Sequence, residues 1–299
     1  MAISETQLST WSNQGAMVAS AQTYNSIQAC INAETWNNDV SYNIYLQGSY
    51  KNSTNTRGDS DVDVVLEFTS TFYSNKSELS LADRLEYEEY HSNAKYSLSD
   101  YKLAVIETLE NYYGKLNVKV GSKSIKVIGG NGRLDADVVC CATYRKYNSF
   151  GKNNRRDYVE GIIFWDGSGN KVINFPNKHF RHGATKNSLS NNNYKPTVRM
   201  VKNIKSKLVA DSTIISGLAP SYFIECLLYN VPASVYKETT NQKRLIGILS
   251  HFLELDKSGG FQDLICQNNQ LKLFGTSDQQ WDVAEAKQFL QAVLDLWNQ

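Results

Sequence analysis

The chain of 299 residues is 41% hydrophobic, enough to bury a core in one large or two modest domains. Its formal net charge of +1 excludes a surface dominated by the lysines and arginines with which a duplex-DNA binder contacts phosphates. No run approaches the roughly 18 apolar residues of a membrane-spanning helix, and residues 1–5 lack the basic start of a signal peptide, so a cytoplasmic location with no membrane partner is expected.

Apolar residues at mixed three- and four-residue intervals (Met17, Tyr24, Ile27, Ile31) predict an amphipathic helix over 7–33. Alternation over 42–47 predicts a strand, and the β-branched run 62–68 a second one. Residues 81–113 carry a long helical pattern with only short interruptions. Leu116, Val118 and Val120, the turn Gly121-Ser122-Lys123, and Ile125 with Val127 read as a hairpin, followed by a strand over 133–143. A later hairpin pairs 162–165 with 172–174 across residues 166–170. The segment 175–186, with Lys178, His179, Arg181 and His182, reads as a solvated loop or a basic rim, and 188–194 as an Asn-rich polar loop. From Thr197 onward the spacing is helical, at 198–209, 222–229, 243–255 and 284–297. An α/β first half thus carries an α-helical second half, with a soft boundary between 175 and 197.

Cys30, Cys140, Cys141, Cys226 and Cys266 are odd in number and lack C-x-x-C pairing, which reads as reduced core thiols. His179 and His182 are close in sequence, but no cysteine stands near to complete a zinc site.

In a strand, residues two apart share a face, so Asp61 and Asp63 project together while Val62 and Val64 point away. Two neighbouring carboxylates are unfavourable unless a cation joins them, and an oxygen-only donor set suits Mg²⁺. The competing reading is a solvated strand start after the Gly58-Asp59-Ser60 turn. Gly48-Ser49, a short loop upstream, tips the balance: Gly lets backbone approach a phosphate, and Ser49 offers an N–H and a hydroxyl at the same turn. Two-metal phosphoryl transfer calls for a third carboxylate. Asp137, in Asp135-Ala136-Asp137-Val138-Val139, supplies it; Asp135 is read chiefly as a capping or salt-bridging residue.

Gly48-Ser49, Ser60-Asp61-Val62-Asp63-Val64-Val65 and Ala136-Asp137-Val138-Val139 together resemble the polymerase β-like nucleotidyltransferases. More narrowly they are similar to the cGAS/DncV-like enzymes (CD-NTases) of bacterial CBASS anti-phage systems, in their CdnE-like branch. The resemblance implies an α+β fold: a catalytic core over 1–180, its mixed or antiparallel sheet flanked by helices and an N-terminal spine helix packing on both lobes. A helical domain over 181–299, like that of oligoadenylate synthetases, would follow. It further implies two Mg²⁺ ions, with Mn²⁺ as a substitute, on Asp61, Asp63 and Asp137. Lys202 would contact the triphosphate, Ser221 a phosphate, and Tyr222 would stack on a base. Taken alone, Lys202 reads as a solvated helix charge and Tyr222 as a core aromatic. Asn174 either reads a uracil edge or caps a turn before Pro176.

The implied function is a nucleotide-binding transferase that uses ATP and other nucleoside triphosphates. It would join them into a cyclic dinucleotide messenger, uridine-containing in so far as Asn174 reads uracil, releasing pyrophosphate for antiviral defence signalling. A downstream effector would respond to the product. The same triad also serves a synthase of linear oligonucleotides or transfer to another acceptor, because the acceptor pocket decides the product. A reading of another class, an inactive nucleotide-binding sensor, is opposed by retention of Ser49, Asp61, Asp63 and Asp137. The zinc-binding insertion of relatives triggered by double-stranded DNA is not visible, so no nucleic-acid activator is expected. The terminal Leu296-Trp297-Asn298-Gln299 lacks the Gly or Ala through which some relatives are conjugated.

Overall fold

The computed structural model describes residues 3–15, 17–58, 61–151, 156–277 and 279–299. The chain divides into two compact units, a sheet unit of Met17–Gln47 and Ser60–Pro176, and a helical unit of Met1–Ala16, Gly48–Asp59 and Asn177–Gln299.

The expected helix over 7–33 is two helices, α1 (Glu5–Ser12) and α2 (Val18–Ala33). The break lies where Gly15 donates its N–H to the Asn55 carbonyl at 3.0 Å. A Cβ on Gly15 would stand 2.3 Å from the Thr56 carbonyl oxygen, so the chain passes there too closely for a helix bearing side chains. Next come β1 (Tyr42–Leu46), the short α3 (Gly48–Asn52) and β2 (Asp61–Asn75). The long helical pattern is also split, into α4 (Leu81–Tyr90) and α5 (Leu98–Tyr113). Ser80 accepts from the Asp83 amide and Ser97 from the Asp100 amide, so each piece carries its own N-cap.

The expected hairpin is β3 (Val118–Val120) with β4 (Ile125–Val127); β5 (Asp135–Ser149), β6 (Asp157–Trp165) and β7 (Lys171–Asn174) complete a seven-stranded sheet. Its order is β1-β2-β5-β4-β3, with β6 on β5 and β7 on β6. Among the described residues of this sheet only the β2–β5 pair is parallel, so the sheet is mixed. One face of β2 and β5 presents Val62, Val64, Leu66 and Phe68 with Ala136, Val138, Cys140 and Ala142, all buried, and α2 and α5 cover it. Phe68 lies flat on Tyr101 of α5, ring centroids 5.0 Å apart. The opposite face carries the aspartates.

The segment expected as a loop or rim is α6 (Pro176–Leu189), begun by a proline at its first position, where the missing N–H costs nothing. It is followed by α7 (Tyr194–Ala210), α8 (Ser221–Tyr229), α9 (Asn241–Ser258) and α10 (Val283–Asn298). These helices and α1 close around one apolar core that includes Leu8, Tyr194, Phe223, Phe252 and Phe289. All five cysteines are buried and free, and burial pushes the Cys140 thiol up to about 12, leaving it inert at neutral pH. Among the described residues no helix is long and apolar enough to cross a membrane.

Candidate active site

The parallel pairing of β2 with β5 sets Asp61 opposite Asp135 and Asp63 opposite Asp137. Because side chains alternate, all four carboxylates stand on the face away from α2 and α5. Asp59 and Ser60, part of the turn read before this strand, lie outside the described residues. Ser124, on the hairpin, donates its hydroxyl to Asp137 Oδ1 at 3.1 Å.

A cation that the sequence reading missed joins this face. Lys126 of β4 pairs in register with Asp137, and its ammonium reaches Asp135 Oδ2 at 3.1 Å and Asp61 Oδ2 at 3.3 Å. Asp135 also accepts the Gly129 N–H at 2.7 Å. The Gly129 amide and the Lys126 ammonium hold the Asp135 carboxyl below its ordinary range, and the bond to Asp135 raises Lys126. Asp135 is therefore salt-bridged. The in-register carboxylates, two of them drawing in an ammonium, are the oxygen donors that a hard divalent cation takes, although among the described residues no three such side chains already converge on one point.

Asn174 ends β7. Thr143 pairs with Ile162 and Ile162 with Asn174, so this amide shares the face of the aspartates, six residues further along β5 than Asp137. Among the described residues its side chain makes no hydrogen bond, so it caps no turn there.

In the helical unit, Gly48 opens α3 with a left-handed φ of 65°, the conformation glycine tolerates best, and Ser49 follows it. The Ser49 carbonyl accepts the Thr54 N–H at 2.9 Å. Lys202 is not a solvated helix charge: it is 4% exposed and donates to the Thr54 carbonyl at 3.0 Å. Arg199, one turn earlier on α7, donates to the Ser12 and Ser53 carbonyls. A cationic stripe of α7 thus holds the segment that follows Gly48-Ser49. Ser221 is the exposed first residue of α8. Tyr222 is 38% exposed rather than a core aromatic, lies parallel to His179 with ring centroids 4.9 Å apart, and accepts from Asn268 at 3.1 Å. His179, expected on a basic rim, is buried, and His182 is engaged with the Gln267 carbonyl.

Residues 31–126 match the nucleotidyltransferase domain, and residues 181–298 match the cGAS/DncV-like nucleotidyltransferase C-terminal helical domain. With the acidic face of the mixed sheet, these matches define a nucleotidyltransferase. The chain is 40% identical over 298 residues to the cyclic UMP-AMP synthase of Rhodothermus marinus, spanning 99% of this chain and 98% of that one. It is 38% identical over 303 residues to the cyclic nucleotide synthase CdnE01 of Staphylococcus haemolyticus, each covered in full. The solved structure of Rhodothermus marinus CdnE c-UMP-AMP synthase with Apcpp and Upnpp superposes with a TM-score of 0.88 at 39% identity, over 99% of this chain and 97% of that one. The chain belongs to the CdnE cyclic nucleotide synthases of the cGAS/DncV-like nucleotidyltransferase family.

Proposed function

We propose that this enzyme joins nucleoside triphosphates into a uridine-containing cyclic dinucleotide with release of pyrophosphate, in the cytoplasm, as the messenger of an anti-phage system. The observation that carries the reading is the register that brings Asp61, Asp63 and Asp137 to one face. Those three residues would hold two Mg²⁺, or Mn²⁺ in its place. Bound there, the ions supply the charge that lowers the acceptor hydroxyl's pKa and neutralises the departing pyrophosphate. Gly48 and Ser49 bind phosphate through backbone N–H groups and a hydroxyl, and Ser221 does so through its own hydroxyl. Lys202 contributes an ammonium to the triphosphate, and Tyr222 presents a ring on which a base stacks. Asn174 offers the donor and acceptor that a uracil edge needs. The Rhodothermus marinus relative is a cyclic UMP-AMP synthase, and the UMP in its product supports that last assignment.

We also propose a division at 180/181 between catalytic core and helical domain, supported by the span of the C-terminal match. No nucleic-acid activator is required in this reading, so free triphosphates suffice as substrates.

Incubation with the four triphosphates, labelled one at a time, should give Mg²⁺-dependent pyrophosphate release and a product whose mass equals two nucleoside monophosphates less two waters. Resistance to phosphatase and exonuclease separates ring from chain. Asp61→Ala with Asp63→Ala should lower release by at least about 10³-fold, since the charge stabilisation of the transfer is lost. Undiminished release by that double variant would sink the assignment.

A further inference from the structure

Helix α8 places a glutamate, Glu225, inside the apolar run Phe223-Ile224-Glu225-Cys226-Leu227-Leu228, and it is 4% exposed. A charge so deeply buried survives only if other groups replace its water. Three donors converge on it. Thr54 donates its hydroxyl to Oε1 at 2.5 Å, Asn52 its amide to Oε2 at 3.1 Å, and His179 Nε2 lies 2.8 Å from Oε2. Burial alone would push the carboxyl up, but the bonds from His179 and Thr54 and the charge of Lys202 outweigh it and hold the group ionised.

Each donor leads to a residue already assigned to the nucleotide. Asn52 ends α3, which begins at Gly48-Ser49, and Thr54 closes the next turn onto the Ser49 carbonyl while its own carbonyl takes the Lys202 ammonium. His179 lies against the ring of Tyr222. The backbone of Glu225 is fixed as well, its carbonyl accepting the Tyr194 hydroxyl at 2.8 Å.

Resting on the triphosphate and base roles given above, we propose that Glu225 is a positioning residue for the nucleotide, locking the Gly48–Asn52 turn and Thr54 to one carboxylate oxygen pair and, through His179, the Tyr222 ring. An amide substitutes poorly. Glutamine keeps one uncharged acceptor oxygen for Asn52 and His179, and its NH₂ faces the Thr54 hydroxyl, which would have to turn from donor to acceptor.

The experiment compares Glu225→Gln, Thr54→Val and the parent enzyme in steady-state kinetics and in calorimetric binding of a non-hydrolysable triphosphate. Thr54→Val removes one donor at nearly constant shape and keeps the test open if Glu225→Gln fails to fold. Glu225→Gln should raise KM and the analogue Kd by roughly tenfold, Thr54→Val by about threefold, with kcat changed less than KM. A purely structural role would lower Tm while leaving KM and Kd unmoved well below the melting range. Parental KM and Kd in Thr54→Val, or in a folded Glu225→Gln, overturn the proposal. Nucleotide-free Mn²⁺ binding, read by electron paramagnetic resonance, should not change in either variant, because the carboxylates of β2 and β5 are untouched. Failure of the underlying site reading would show separately, as activity retained by the Asp61/Asp63 double variant.

Discussion

A lysine among four aspartates is a cation with which the metal ions proposed for that face would have to compete. Lys126 bonds Asp61 and Asp135 with about a third of each side chain exposed, so the pair is a partly screened one, worth ~1 kcal/mol rather than the larger figures of the interior. Replacing Lys126 by Met should therefore tighten Mn²⁺ binding in the absence of nucleotide by roughly fivefold, the equivalent of ~1 kcal/mol. Electron paramagnetic resonance titration measures it directly, and weaker binding would mean that the ammonium holds Asp61 in place for the ion. Asp61, Asp63 and Asp137 were legible in the sequence because the two-residue period of a strand fixes which side chains share a face. Lys126 was not, since its partners come from strands 65 and 9 residues away, and nothing local in the hairpin announces them. Glu225 did leave a signal, a lone acid in an apolar helix, and buried acids are rare enough for that to deserve a second reading.

At the level of elements, type was easier to read than extent. The strand over 62–68 continues as far as Asn75, past an irregularity in register between Phe68 and Phe72. Beyond it the side chains turn polar and aromatic, pairing with β5 continues, and Phe72 packs against the small cluster of Leu79, Tyr87, Tyr147 and Phe150. The break within 81–113 had a local cause visible in Ser97, followed three residues later by Asp100 as in an N-terminal capping arrangement, whereas the break within 7–33 comes from the close passage of Gly15 by Asn55 and Thr56, which no local signal announces. The α6 helix was missed because its apolar content is low; what fixes it is tertiary, with Gly183 so near Gln267 that a Cβ would meet Nε2 at 2.3 Å. A similar close approach shapes the β6–β7 hairpin. A Cβ on Gly161 would stand 2.5 Å from the Asn174 carbonyl and 2.8 Å from the Phe175 ring, whereas Gly217 has nothing within 4 Å. Gly161→Ala should thus cost about 1–3 kcal/mol through overpacking, lowering Tm by roughly 3–8 °C, and Gly217→Ala should leave Tm within about 1 °C. Equal melting temperatures in calorimetry would show that the hairpin yields without strain.

For the molecule as a whole, the chain leaves and re-enters the sheet unit, so Gly48-Ser49 belongs to the helical unit while Asp61 and Asp63 belong to the sheet. Sequence order could not show this, because what gathers residues 48–58 to the helices is long-range: Arg199 bonds Ser53, Lys202 bonds Thr54, and Glu225 bonds both Asn52 and Thr54. The strands of the first half and the helical second half were legible from periodicity, and the sheet type only through the resemblance; the assembly of distant segments was not. The same separation governs function. In the function proposed above, carboxylates in register would account for transfer to any hydroxyl, while the product would depend on side chains that meet the bases. Asn174 is the residue through which this can be tested, since it stands on the carboxylate face with its amide unengaged among the described residues. Asn174→Ala removes a donor and an acceptor from whatever base lies against it, a loss of about one to two hydrogen bonds, or roughly tenfold in discrimination. With equal concentrations of the four triphosphates, the uridine share of the product should fall by about that factor relative to purines, while pyrophosphate release from purine triphosphates alone changes far less. An unaltered uridine share, measured by mass spectrometry, would remove Asn174 from base selection and leave the carboxylate assignment standing.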